Sequence, residues 1–367
     1  MKIRIKYTVL CLFLFAGMSM AAQEIPVETE HHSEPKKDLN VTELILDHVG
    51  DAYDWHIATV DGHSISIPLP VIVRGSDGVW RCFLSSRFEH GHADYKGFSI
   101  AHEGKYKGKI VEKNVSGEEV RPLDLSLTKN AFSLIMGSTI LIILIMSCAA
   151  WYKKRKVEEA SPKGFIAMIE MLIMSIVDDV VKPCIGKNYK RYAPYLLTVF
   201  FFIFFNNLLG IIPIFPGGAN VTGNIAVTCV LAVFTFIVVN SFGTKEYWKE
   251  IFWPDVPTWL KVPVPIMPAI EVVGMFTKPF ALMIRLFANI LAGHAIVLGL
   301  TCVIFITVGL GAAMNVGMSV LSVVMTIFID FVELLVAFIQ AYVFTLLSAV
   351  FIGLSQVEAH GNKQLHK

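Results

Sequence analysis

From residue 263 to residue 355 the chain carries only six charged or imidazole side chains: Glu271, Lys278, Arg285, His294, Asp330 and Glu333. The apolar stretches between them read as helices of about 279–308 and about 318–355. At a rise of 1.5 Å per residue they would be about 45 and 57 Å long. The hydrocarbon core of a bilayer is about 30 Å thick, and an ordinary tilt of about 20° does not absorb the difference. The pair is therefore expected to lie steeply tilted, as an antiparallel hairpin turning near residues 309–317. Helices lying so flat need a partner surface to follow.

The rest of the membrane region has the same character. Residues 130–152 hold no charge and end in Lys153-Lys154-Arg155-Lys156, which the positive-inside rule places in the cytoplasm. Residues 162–182 space Phe165, Ile166, Met168, Ile169, Leu172, Ile173 and Ile176 as an amphipathic helix, interrupted by Glu170, Asp178 and Asp179. It is expected to lie on the cytoplasmic face. Residues 194–244 contain no Asp, Glu, Lys or Arg, and the segment from Ile212 to Gly218 divides them into spans of about 194–212 and 223–242. Lys245, Lys249 and Lys261 return the chain to the cytoplasm, where the tail 356–367 is also expected. The fold class is thus an all-α polytopic membrane protein. It has about five transmembrane helices within 128–355 and a small exported N-terminal domain.

The N-terminus reads as a secretory signal over residues 1–22. Lys2, Arg4 and Lys6 are followed by an apolar stretch and by Ser19-Met20-Ala21 as a cleavage site. An uncleaved anchor is the alternative. Residues 23–127 are polar and hold eight of the eleven histidines. Short alternations such as His63-Ser-Ile-Ser-Ile and Val71-Ile-Val-Arg74 read as strands, and Ser76-Asp77-Gly78 and Ser116-Gly117 as turns, giving a mostly β periplasmic domain. Glu89-His90-Gly91-His92 lacks a complete ligand set, so a solvated histidine-rich surface is the preferred reading over a metal site. Only Cys82 of the six cysteines falls in that domain, which excludes a disulfide within it; the others read as apolar filler. A net charge of +1, from 31 basic and 30 acidic residues, gives no sign of a nucleic-acid partner. Hydrophobic residues at 54% and charged residues at 17% exclude an ordinary soluble enzyme. No phosphate-binding glycine loop occurs, so the chain is not expected to turn over ATP itself, and no cofactor or metal is called for.

Charges at membrane depth cost about 2.5–3.5 kcal/mol each on insertion scales and are functional candidates by default. Arg285, set among Leu282, Met283, Ile284, Leu286 and Phe287, cannot give up its proton and acts as a fixed positive charge. A buried ion pair with Asp330 or Glu333 is the plainer alternative. Asn289 follows four residues later on the same face, and His294 nine residues later, near the opposite face. Glu333 and Gln340 are seven residues apart on one stripe, bordered by Asp330. A histidine and a carboxylate suit proton relay, because both titrate near neutrality when perturbed.

Arg285-Leu-Phe-Ala-Asn289-Ile-Leu-Ala-Gly-His294, with Glu333 and Gln340-Ala-Tyr-Val-Phe344, closely resembles subunit a of F-type ATP synthases. Phe205-Asn206-Asn207-Leu-Leu-Gly-Ile-Ile-Pro213 and Thr277-Lys278-Pro279 are similar to the same family, and the likeness covers roughly 130–355. It implies a non-catalytic membrane subunit of the bacterial inner membrane. The implied partners are a ring of c subunits, the subunit b stalk, the remainder of the F1Fo complex and the lipid around them. By resemblance Arg285 faces the ring carboxylate beside Asn289 and Gln340, Glu271 belongs to the cytoplasmic half-channel, and His294 and Glu333 form the ionisable pair of the outer one, with Asp330 and Lys278 as auxiliaries. Two departures stand out. Some members carry an Asp where Gly210 stands, and the region ahead of residue 130 is unusually long. An ion-coupled secondary transporter is the rival reading; it predicts internal repeats, and none is evident.

Overall fold

The computed structural model describes residues 50–60, 63–91, 93–101, 104–113, 119–154, 162–212, 217–253 and 266–356. The signal region, the turn at Ser116-Gly117, His92 and the tail 357–367 lie outside these residues. The chain divides into two compact units: 1–136 with 209–221 and 294–330, and 137–208 with 222–293 and 331–367.

Among the described residues, the first unit contains eight short strands: β1 Asp54–Val60, β2 His63–Pro68, β3 Pro70–Arg74, β4 Trp80–Leu84, β5 Phe98–Ile100, β6 Ile110–Lys113, β7 Glu119–Val120 and β8 Leu123–Asp124. They pair antiparallel in sheets of order β1-β2, β4-β3-β8 and β5-β6-β7. The predicted strands at 63–67 and 71–74 correspond to β2 and β3. The predicted turn at 76–78 reverses the chain between β3 and β4, where Gly78 takes φ 76°. Alternation in β3 sends Val71 and Val73 into a core with Tyr53, Phe88, Phe98 and Ile110, edged by Phe83, Tyr95 and Ile100. The Tyr53 hydroxyl donates to Asp124 at 2.5 Å and accepts from the Ile110 amide at 3.5 Å. Burial, then the adjacent Asp124 carboxylate, pushes the phenol well above its ordinary range. Tyr53→Phe is expected to cost this domain about 1–3 kcal/mol, because it takes a donor from the half-buried Asp124 carboxylate and an acceptor from the buried Ile110 amide. Chemical denaturation of the full-length protein, followed by the fluorescence of Trp55 and Trp80, would measure it.

Helix α1 spans Lys129–Lys153. The β-rich domain holds its start. The Lys129 amide donates to the Ala52 carbonyl at 2.8 Å, the Asn130 amide to Asp51 at 3.1 Å, and Phe132 packs edge-on against Trp55. The same unit includes residues 294–330, where the last two helices meet. Only Gly311 in that glycine-rich turn adopts a left-handed φ, 105°, and Thr307 Oγ1 donates to Asn315 Oδ1 at 2.9 Å across it.

In the second unit an amphipathic helix α2, Phe165–Ser175, passes through a π-helical turn, Ile176–Val181, into the short α3, Lys182–Ile185. Helix α4 is Tyr189–Ile211, α5 Ile225–Ser241, α6 Lys245–Phe252, α7 Ile266–Thr307 and α8 Ala312–Ser355. Asn224 caps α5 by accepting from the Ala226 amide, and Thr244 caps α6 by accepting from the Tyr247 amide. Among the described residues, four helices are long and apolar enough to cross a membrane, or five if the bent pair α5–α6 is one span.

Three helix starts differ from the sequence expectation. Helix α4 begins at Tyr189 rather than 194, because Pro194 sits within its early turns instead of opening it. Helix α7 begins at Ile266 rather than near 279. Pro279 looks like a helix start, since its missing N–H costs least in the first turn, yet the helix runs through it. Packing within a helical bundle tolerates such an interruption. Helix α8 begins at Ala312 rather than 318, because Gly317 takes an ordinary helical conformation. With 42 and 44 residues, α7 and α8 are about 63 and 66 Å long, longer still than expected.

Candidate proton-translocation site

Helix α7 buries Leu282, Leu286 and Ile290, one residue per turn, in the core of the second unit with Phe200, Ile203, Ala341 and Phe344. That anchorage leaves Arg285 and Asn289 exposed. Arg285 forms no ion pair among the described residues, so the internal ion-pair reading of this arginine loses its basis. An exposed guanidinium on an apolar helix presents its charge to whatever borders the chain there.

Helix α8 supplies a buried stripe of Glu333, Ala337, Gln340, Ala341, Phe344, Thr345, Ser348, Ala349 and Ile352. Glu333 is 6% exposed and Gln340 7%, so both stand in the packed side of the helix while its other side is apolar and open. Space for the Glu333 carboxylate comes from Gly293. A Cβ there would stand 3.0 Å from Glu333 Oε1 and 3.3 Å from its Cδ, tighter than nearly all real contacts. The glycine before His294 in the motif therefore has a steric reason. Reading the sequence for ionisable groups passed over it, because the signal is a missing side chain.

Residues 209–221 and His294 belong to the first unit. There the chain after α4 folds back, with the Gly218 amide donating to the Leu209 carbonyl at 3.2 Å. Gly217 is held so close to the Leu209 and Ile212 carbonyls that a Cβ would collide with both. Gly210 faces the imidazole: its Cβ position lies 3.8 Å from His294 Nε2 and 3.7 Å from the Ala219 carbonyl. The carboxylate found here in some members of the resembled family would thus lie beside His294. Gly210→Asp is expected to assemble normally, since its Cβ meets only ordinary contacts there. Equal co-purification of the partner subunits with the variant and the parent would bear this out.

Helix α4 contributes Asn207, whose Nδ2 donates to the Ala337 carbonyl at 3.3 Å and whose Oδ1 accepts from Thr222 at 2.7 Å. This is why the paired asparagines sit in the apolar helix: one amide ties α4 to α8 and to the segment preceding α5. A second polar set lies near the other end of α8. Tyr195 and Thr235 share a hydrogen bond of 2.9 Å, Thr235 and Ser348 one of 3.5 Å, and the Tyr247 hydroxyl donates to Asn240 at 3.3 Å. Thr235, Asn240, Tyr247, Lys278 and Phe351 line a cavity of about 20 Å³, room for about one water. Lys278 lies over the Phe351 ring at 5.7 Å. Glu271 is half-buried. Asp330 is half-buried. The hydroxyl and amide groups around the cavity were not singled out from sequence, because Ser, Thr, Asn and Tyr in apolar helices carry no distinctive spacing.

Residues 132–353 match the ATP synthase A chain family. The chain belongs to that family. A protein of Chlorobaculum tepidum named ATP synthase subunit a 2 is 43% identical over 258 residues, covering 67% of this chain and 68% of that one. A protein of Chloroherpeton thalassium named ATP synthase subunit a is 37% identical, covering 75% and 79%. One from an Anaeromyxobacter species, also named ATP synthase subunit a, is 34% identical over 348 residues, 91% of this chain and 75% of its own length. A match of that extent reaches into the region ahead of α1. Residues 44–125 also match a separate domain family of unknown function. Membership in the A chain family does not favour the transporter reading.

Proposed function

We propose that the chain is the stator subunit of the Fo sector, providing two offset half-channels that couple proton flow to rotation of a c-subunit ring. In this reading protons enter past Glu333 and His294 and neutralise a ring carboxylate. The neutral site then turns into lipid without the cost of a bare charge. After nearly a full turn it reaches the Glu271 side and releases its proton inward, with the cavity beside Asn240, Tyr247 and Lys278 as the passage to water. Arg285 stands between the two routes, attracts the deprotonated carboxylate and turns protons away. Each charge crossing 100 mV releases about 2.3 kcal/mol, and ring rotation delivers that energy to ATP synthesis in a separate soluble head. The subunit b stalk holds the chain against the turning ring. The exported start, the cytoplasmic face of α2 and the domain limits follow the charge pattern described above.

The observation that carries this reading is the division of polar groups on α7 and α8: a fixed cation exposed on one, and a buried carboxylate and amide on the other. A test uses inverted membrane vesicles from a strain lacking this chain and from the same strain carrying it. ATP-driven acidification should appear only with the chain present, and the c subunit should co-purify with it. Acidification that is equal in both strains would overturn the assignment.

A further inference from the structure

The three-stranded sheet β4-β3-β8 has one face in the domain core and one that nothing among the described residues covers. Cross-strand pairs set Leu84 opposite Pro70, Cys82 opposite Ile72, and Trp80 and Leu123 beside Arg74. On this open face Ile72, Trp80, Leu84, Leu123 and Leu125 are exposed, Trp80 by 51% and Leu125 by 62%, and Cys82 is exposed among them. A continuous apolar sheet face of this kind marks an interaction surface.

We propose that this face docks on the lipid bilayer, with its strands lying along the membrane surface. Three observations select lipid as the occupant. First, the face continues into the membrane helix. Leu125 is four residues from the start of α1, a reach of about 14 Å at most. The Leu127 amide bonds the Pro70 carbonyl at 3.0 Å, so the strand next to α1 is itself part of this sheet. Second, the domain cannot swing away, because Ala52, Asp51 and Trp55 grip the first turn of α1. Third, the charge is of one sign. The cation placed on the face is Arg74, which pairs across the strands with Trp80 and lies against its ring at 5.9 Å. Asp124 points instead to Tyr53, and Asp77 is paired with Arg81. Tryptophan, leucine and arginine side by side are the composition of a membrane–water interface, and Arg74 suits anionic headgroups.

The flat orientation follows from dimensions. Leu84 and Trp80 are four residues apart along β4, about 13 Å. The polar layer on one side of a bilayer is only about 5–8 Å deep. An upright sheet would lift Trp80 out of that layer, whereas a flat one keeps the whole face within it.

Cys82, midway along the edge strand β4, is a native probe on the face. The full complex, with the other cysteines replaced by serine or alanine, is labelled there with a nitroxide and reconstituted in liposomes containing anionic lipid. The ratio of collisions with oxygen to collisions with a water-soluble nickel chelate is expected to rise severalfold over the same label at Lys113→Cys, an exposed position on the opposite sheet. A ratio equal to that of Lys113→Cys would overturn the proposal. A label shielded from both reagents would also overturn it and assign the face to a protein. Neither outcome touches the half-channel reading, since proton pumping is measured separately on the same liposomes.

Discussion

Replacing Arg285 by alanine is expected to reduce ATP-driven acidification of inverted vesicles to background while the c subunit still co-purifies. Arg285 is exposed, packs into no core cluster and makes no ion pair among the described residues, so its loss removes a charge and little packing. The buried residues that hold α7 in place, Leu282, Leu286 and Ile290, are untouched. Passive proton leak through the complex should rise, because nothing cationic then separates the two routes. Arg285→Lys is a sharper probe. It keeps one charge but loses the planar fork and can be deprotonated when desolvated, so pumping is expected to remain strongly impaired. Normal pumping by Arg285→Ala in an assembled complex would remove the arginine from the mechanism.

The second large effect is expected at Gly293. An alanine there already brings Cβ to within 3.0 Å of Glu333 Oε1, and a leucine would displace the carboxylate outright. Overpacking of this kind costs about 1–3 kcal/mol. Each 1.4 kcal/mol added to a barrier slows it about tenfold, so Gly293→Leu, with that cost falling on proton transfer, is expected to lower pumping about fivefold to a hundredfold in assembled complexes. Gly293→Ala should be intermediate. Gly210→Ala serves as the control, because its Cβ meets only ordinary contacts at 3.7 and 3.8 Å. Equal pumping by Gly293→Leu and the parent chain would show that the position of Glu333 is not critical.

Much of the architecture was legible along the chain. Uncharged runs marked the spans, because hydrocarbon excludes charge whatever the neighbours are. The strands at 63–67 and 71–74 were legible because their sequences alternate with a period of two, which in the second reflects one buried face. Helix starts were less legible. Pro194, Pro279 and Gly317 carry local preferences for helix ends, yet all three lie inside helices. Packing overrides a preference worth a few kcal/mol once several turns are held on both sides. The bent α6 also went unread, since its eight residues are too few to show a period.

The sequence by itself determined that this chain crosses a membrane and that Arg285, His294 and Glu333 lie in long apolar stretches, because the cost of a buried charge depends only on the side chain and the solvent. It also determined the family, through the spacing of those groups. Only the tertiary structure decided which of them are sheltered and which are presented. Glu333 is buried because Gly293 leaves it room, His294 looks onto the empty side of Gly210, and Arg285 is exposed because its neighbours one turn apart are the ones that pack. Those outcomes depend on the absence of atoms on a second segment far away in the chain, and a period or a charge count carries no record of that absence.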